Sequence, residues 1–206
     1  NQDPRKLWKD LPVDWNKLPE PKYQKEDSQC EYVKVEALED GTPQKDIVAA
    51  SKRGRSHAQE AKPRDDHFRV EHMDNGWYIM AVADGAGSAK FSRKGSLIAC
   101  DESVDYCKLQ LINCKAFEDS IAKYNKQKVD SEEEVRKEVG NFIYNIVGAA
   151  AFKAHKAINV EAALTNQNPK LYATTLLLTI CKRFSFGWFI ASFWVGDGAI
   201  CLYNRD

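Results

Sequence analysis

Apolar residues in the second half of the chain recur in steps of three, one and four, at Val135, Val139, Phe142, Ile143, Ile146, Val147 and on through Ile158. Such steps trace one face of an α-helix, which predicts a single helix over 131–158, about 40 Å long at the usual rise. Ser131 and Glu134 form a capping box at its start, and Glu132, Glu133 and Glu134 suit the positive end of the helix dipole. Leu97, Val104, Leu109 and Leu111 predict an earlier helix over 96–112. A polar connection follows over 113–130, with room for further helix.

Elsewhere the apolar runs are short, as in strands. They fall at 47–50, 68–71, 77–83, 173–180, 188–195 and 199–203. Turn signals separate several of them: Asp74-Asn75-Gly76, Phe186-Gly187 and Gly196-Asp197-Gly198. The last three runs, joined by short turns, predict an antiparallel meander. Residues 52–63 are polar, hold Gly54 and Pro63, and read as a loop. Strands, then two helices, then strands describe a layered α+β domain and not alternating β-α units.

Residues 1–45 carry five of the seven prolines, scattered charges, Trp8 and Trp15. They read as an irregular N-terminal arm ahead of a domain over 46–206. Its tryptophans suit docking onto the domain or onto a partner, because segments that stay disordered are usually poor in aromatics.

Composition narrows the functional classes. Hydrophobic residues make up 43% of 206, enough for a core. With 30 basic and 30 acidic residues, charge gives no reason to expect nucleic acid or an anionic membrane as a partner. Lys52-Arg53-Gly54-Arg55 is too short a basic stretch to change that. No apolar run approaches the roughly 20 residues of a membrane span, and the polar start is unlike a signal peptide, so the expected location is cytoplasmic. None of the six cysteines forms a C-x-x-C pair. Cys100, Cys107 and Cys114, spaced by seven, read as small buried hydrophobes in a reducing compartment.

Candidate chemistry centres on Ala83-Asp84-Gly85-Ala86-Gly87-Ser88, at the end of an apolar strand. A sheet holds such a carboxylate rigidly, and glycines beside it allow a sharp turn and room for a ligand. A hard divalent cation takes oxygen ligands of this kind. By itself the motif is also an ordinary turn with a capping aspartate. Arg64-Asp65-Asp66 adds two carboxylates just before the strand at 68–71. If that strand and the one running into Asp84 form a hairpin, Asp66 and Asp84 share a cation. His67 and His72 read as surface histidines in preference to transition-metal ligands.

Ser56-His57 with Lys62-Pro63-Arg64-Asp65-Asp66, Val82-Ala83-Asp84-Gly85-Ala86-Gly87-Ser88-Ala89, Ala173-Thr174-Thr175-Leu176 and Val195-Gly196-Asp197-Gly198 occur in that order. In this series the chain resembles the type 2C (PPM-type) serine/threonine protein phosphatases, in the branch seen in many bacteria. The resemblance runs from about residue 46 to the end. It implies a four-layer α-β-β-α sandwich of two antiparallel sheets flanked by helices, and a pair of Mg²⁺ or Mn²⁺ ions at one edge. It implies that Asp84 bridges both ions, that the Gly85 carbonyl binds one, and that Asp66, with Asp65 beside it, supplies the other early acidic ligand. Asp66 and Asp84 are thus the expected catalytic pair. The implied reaction is attack of a metal-activated water on a phosphorylated serine or threonine of a protein, and the implied partner is a phosphoprotein, such as a serine/threonine kinase or its target. Ala173-Thr174-Thr175 and Gly196-Asp197-Gly198 read as framework.

Three departures stand out. Ala61 lies near the place of the family's phosphate-holding arginine, leaving Arg53, Arg55 or His57 as candidate phosphate ligands. Asn168-Pro169-Lys170-Leu171 stands where an extra metal-binding aspartate often lies, which argues against a third metal. The family's later D-G and D-N metal motifs do not occur before Asp206. The sandwich is therefore expected to be incomplete at its C-terminus, and these 206 residues alone to be inactive. The competing reading is a catalytically inactive phosphatase-like module that binds a kinase or another signalling partner.

Overall fold

The computed structural model describes residues 10–15, 28–126 and 132–203. Two antiparallel sheets form within them. The smaller pairs β1 (Ser28–Val33) with β2 (Ile47–Lys52). The larger sets β3 (His67–His72), β4 (Trp77–Ala83), β5 (Leu176–Phe184) and β6 (Gly187–Val195) side by side in sequence order. The helices are α1 (Arg55–Gln59), α2 (Ser92–Leu111), α3 (Lys115–Lys126), α4 (Glu132–Ile143) and α5 (Ala149–Leu164).

Alternation along β4 decides the layering, because successive side chains of a strand point to opposite faces. Trp77, Ile79, Ala81 and Ala83 join the main core against Cys100, Val104, Cys107 and Leu111 of α2. Tyr78 and Met80 point the other way and meet Ile47 of the small sheet, with Phe68 and Val70. Helices therefore cover one face of the large sheet, and the small sheet covers part of the other.

Trp77 anchors the helical side. It is fully buried, stacks on Phe117 at 5.7 Å and meets Phe184 and Phe189 edge-on. Its indole N–H donates to Glu118 Oε1 at 2.9 Å, and Lys182 Nζ completes that carboxylate at 2.6 Å. A buried aromatic with its polar atom satisfied is worth roughly 3–5 kcal/mol against truncation to alanine.

The cysteines of α2, and Cys114 just beyond it, behave as the spacing predicts. Cys100, Cys107 and Cys114 are free and buried, and burial pushes the Cys107 thiol up to about 12. Thiols held neutral in this way act as small hydrophobes.

Several expectations need correction. Residues 28–33, inside the arm expected to be irregular, form β1, since Gln29 to Val33 alternate between exposed and half-covered and find β2 as a partner. The loop expected over 52–63 contains α1. The long helix is interrupted by a π-helical turn at Tyr144–Gly148. That turn inserts one residue into the helical repeat, a local change of phase that buries both Ile146 and Val147. Ser131, the expected cap, lies outside the described residues. The run at 199–203 forms no strand. His67 is buried, not a surface residue. Among the described residues no helix is long and apolar enough to cross a membrane.

Gly95 carries the close approach of α2 to the 3₁₀ turn at Pro169–Tyr172. A Cβ there would sit well inside contact distance of the Tyr172 carbonyl oxygen. Gly140, within α4, faces open space. We expect Gly95→Ala to destabilise by about 1–3 kcal/mol despite its better helix propensity. Gly140→Ala should instead stabilise by about 0.5–1 kcal/mol. Urea unfolding of the two variants checks both signs.

Candidate metal centre

In the β3–β4 ladder His67 faces Ala83, so the residues just outside the hairpin's open end, Asp66 and Asp84, face each other. The two carboxyl groups lie close enough for Asp84 to bear directly on the protonation of Asp66. Loss of surrounding water, then the nearness of Asp84, push Asp66 up to about 6. Two carboxylates held this close cannot both ionise freely.

Asp84 is fixed through its backbone. Its N–H donates to Thr175 Oγ1 at 2.9 Å, and its carbonyl accepts from Thr174 Oγ1 at 3.0 Å and from the Thr175 N–H at 2.9 Å. The Ala86 N–H donates to the Ala173 carbonyl, and Gly85 pairs with Thr174 as an isolated bridge. Residues 173–175, expected to open a strand, instead zip onto residues 84–86. Gly196 packs against Thr175 so tightly that a Cβ would meet Thr175 Cγ2 at 2.5 Å. Gly85 is equally confined: a Cβ there would meet the Asp65 carbonyl oxygen at 2.6 Å and the Ser92 carbonyl carbon at 2.9 Å.

Asp65 sits half-buried behind the pair. Its carbonyl accepts from the Ser96 hydroxyl. Burial pushes its carboxyl up, against the opposing pull of His57, Ser92, Arg93 and Lys62. His57 Nε2 lies 3.7 Å from Asp65 Oδ2. Its Nδ1 is 2.8 Å from the Pro63 carbonyl; a carbonyl only accepts, so Nδ1 carries the proton of that bond.

The sequence reading passed over Arg64. It is 2% exposed and donates to the Asp66 carbonyl at 2.6 Å, to Ser51 Oγ at 3.0 Å and to Gln29 Oε1 at 3.3 Å. One guanidinium thus ties both strands of the small sheet to the start of β3. Its place directly before the two aspartates was the available signal. Burial, with Arg64 foremost among the nearby cations, lowers His67 to about 4, so that buried ring stays neutral.

The structure therefore brings Asp65, Asp66, Asp84, Gly85 and His57 together. Arg53 is engaged elsewhere: its guanidinium pairs with Asp10 of the arm and reaches the Lys62 carbonyl. Arg55 is exposed at the start of α1. Trp8 lies outside the described residues, whereas the Trp15 ring lies 5.0 Å from the Arg93 guanidinium. The donors at the centre are hard oxygens, and a divalent cation between Asp66 and Asp84 would relieve their repulsion, so the set fits such an ion in kind. Among the described residues no group of three or more His, Cys, Asp and Glu side chains is arranged to hold a metal.

The hairpin thus ends in facing aspartates, one of them held through its backbone by a distant Thr-Thr pair. A family model described as protein phosphatase 2C matches residues 53–206, and the chain belongs to that family. No curated protein and no solved structure matched the chain.

Asp66 has a folded-state value above the ordinary one, so the fold binds this proton more tightly than the unfolded chain does. Its contribution to stability is present below about pH 4 and is lost as pH rises through about 6. Asp66→Asn escapes that loss. Its denaturation midpoint should gain on the wild type's between about pH 4.5 and pH 7, measured without divalent ions.

Proposed function

We propose that this chain carries the early metal ligands of a metal-dependent protein serine/threonine phosphatase. The observation that carries the reading is the facing pair Asp66 and Asp84, in a chain of the protein phosphatase 2C family. The Asp66 and Asp84 carboxylates and the Gly85 carbonyl would hold Mg²⁺ or Mn²⁺, with Asp65 behind them. Bound ions of this kind supply an activated water and neutralise phosphoryl charge.

The chain's own residues do the positioning. Thr174 and Thr175 hold Asp84 at both its N–H and its carbonyl, so the carboxylate does not drift as charge builds nearby. Arg64 fixes the backbone of Asp66 from below. Of the three candidate phosphate ligands, His57 lies against Asp65. Arg55 remains a candidate from the exposed surface, and Arg53 becomes one only when Asp10 releases it. The complete architecture under this reading is the four-layer sandwich, with the substrate a phosphorylated protein such as a kinase or its target.

A second reading, an inactive phosphatase-like module that docks a signalling partner, draws support from the diversion of Arg53 to Asp10. Activity separates the two. The intact natural protein should release phosphate from phosphoserine or phosphothreonine peptides when Mn²⁺ is added. Asp84→Asn should lower that rate by at least about a hundredfold, the upper range seen when even outer-shell partners are lost. Equal rates in wild type and variant would remove the phosphatase reading; no turnover in the wild type would favour the docking module.

A further inference from the structure

Beside the acidic pair opens a hollow of about 360 Å³ with a different character. Asp65 is the wall it shares with the candidate metal centre, and Lys62, Lys90 and Arg93 supply its cations. Phe91 and Leu171 give it an apolar lining. Among the described residues that line it, Asp65 is the carboxylate, and it is already engaged by Ser92 and approached by His57.

The cations are placed to serve a visiting anion. Arg93 lies against the Trp15 ring, which steadies the guanidinium on one side. Lys90 is exposed, with Nζ 5.2 Å from the Phe91 ring centre. Lys62 pairs with Glu60 at 2.5 Å, but both side chains are more than half exposed. Such a surface pair is weak enough for a better-placed anion to displace. The exposed ammonium groups of Lys62 and Lys90 attract a carboxylate, and the apolar lining suits the methylene stem of an acidic side chain.

We propose that this hollow receives an aspartate or glutamate side chain of the substrate polypeptide, close in sequence to the phosphorylated residue, so that phosphosites with acidic flanks are the preferred substrate class. An extended peptide advances about 3.3 Å per residue, so a side chain a few positions from the phosphoserine reaches the hollow while the phosphate sits at the acidic pair. The identity of that neighbouring phosphoresidue rests on the phosphatase reading; the sign of the selected charge rests on the hollow alone. A lysine at the same position meets like charges on Lys62 and Lys90 and is disfavoured.

The test is fluorescence anisotropy with the intact protein and Mn²⁺. Three labelled peptides each carry a non-hydrolysable phosphonate in place of phosphoserine and differ only in flanking Glu, Ala or Lys. The wild type should bind the Glu peptide about fivefold more tightly than the Lys peptide, and the ratio should shrink as salt is raised. The double variant Lys62→Ala/Lys90→Ala, checked for folding by circular dichroism, should bring the ratio close to one. Lys90→Glu should lower the ratio as well. Equal affinities in the wild type, a preference that the double variant retains, or no binding of any peptide would each overturn the proposal. Phosphate release by the wild type from the phosphoserine form of the Ala peptide is measured in parallel. If that release is absent while the charge ratio behaves as stated, the hydrolase reading fails and the charge-selective hollow stands.

Discussion

The register of the β3–β4 hairpin is the constraint on which the rest depends. Pairing His67 with Ala83 puts Asp66 across from Asp84. A slip of one residue would separate the two carboxyls and send every side chain of one strand to the wrong face. What fixes the register is burial. Trp77, Ile79, Ala81 and Ala83 fit only the helical side, and Tyr78 stands against the small sheet. The Gly76 turn, in the left-handed region at φ 83°, closes the hairpin at the length this pairing requires. The energy that sets the acidic corner thus comes from apolar packing at the far end of the same strands.

Around that hairpin, each neighbouring element acts on backbone atoms more than on the carboxylates themselves. Thr174 and Thr175 bond the main chain of Asp84; Arg64 bonds the carbonyl of Asp66; Ser96 bonds the carbonyl of Asp65. Gly85 leaves no room for a side chain between Asp65 and Ser92. The carboxylates are left at the surface with their backbone immobilised, which suits groups that must turn outward to a ligand without reorganising.

Local patterning made the elements legible and left their long-range partners hidden. The alternation in 68–71, the apolar run at 77–83 and the Asp74-Asn75-Gly76 turn between them are enough to anticipate the hairpin, and with it the meeting of Asp66 and Asp84. The stripe from Val135 onward announced helix but not the π-helical turn, because periodicity over two helical segments does not register one inserted residue. Thr175 reaches Asp84 across 91 positions of sequence. Its run looked like the start of β5, since a strand pattern does not say which residues pair with a loop instead. Arg64 was invisible for a different reason: an arginine beside two aspartates reads as a solvated charge until a structure shows it 2% exposed. Arg53 is the converse case, a phosphate ligand by position whose partner, Asp10, lies in the arm; Trp8 and Trp15 suggest that the arm docks but not which residue it engages.

The central claim is that Asp66, Asp84 and Gly85 together form a cation site. Paramagnetic broadening tests it most directly. Substoichiometric Mn²⁺ added to ¹⁵N-labelled protein should first broaden the backbone amide signals of Asp66, Asp84, Gly85 and their immediate neighbours, with Mg²⁺ in excess restoring them. Broadening centred on another part of the chain, or spread evenly over the surface, would contradict the account.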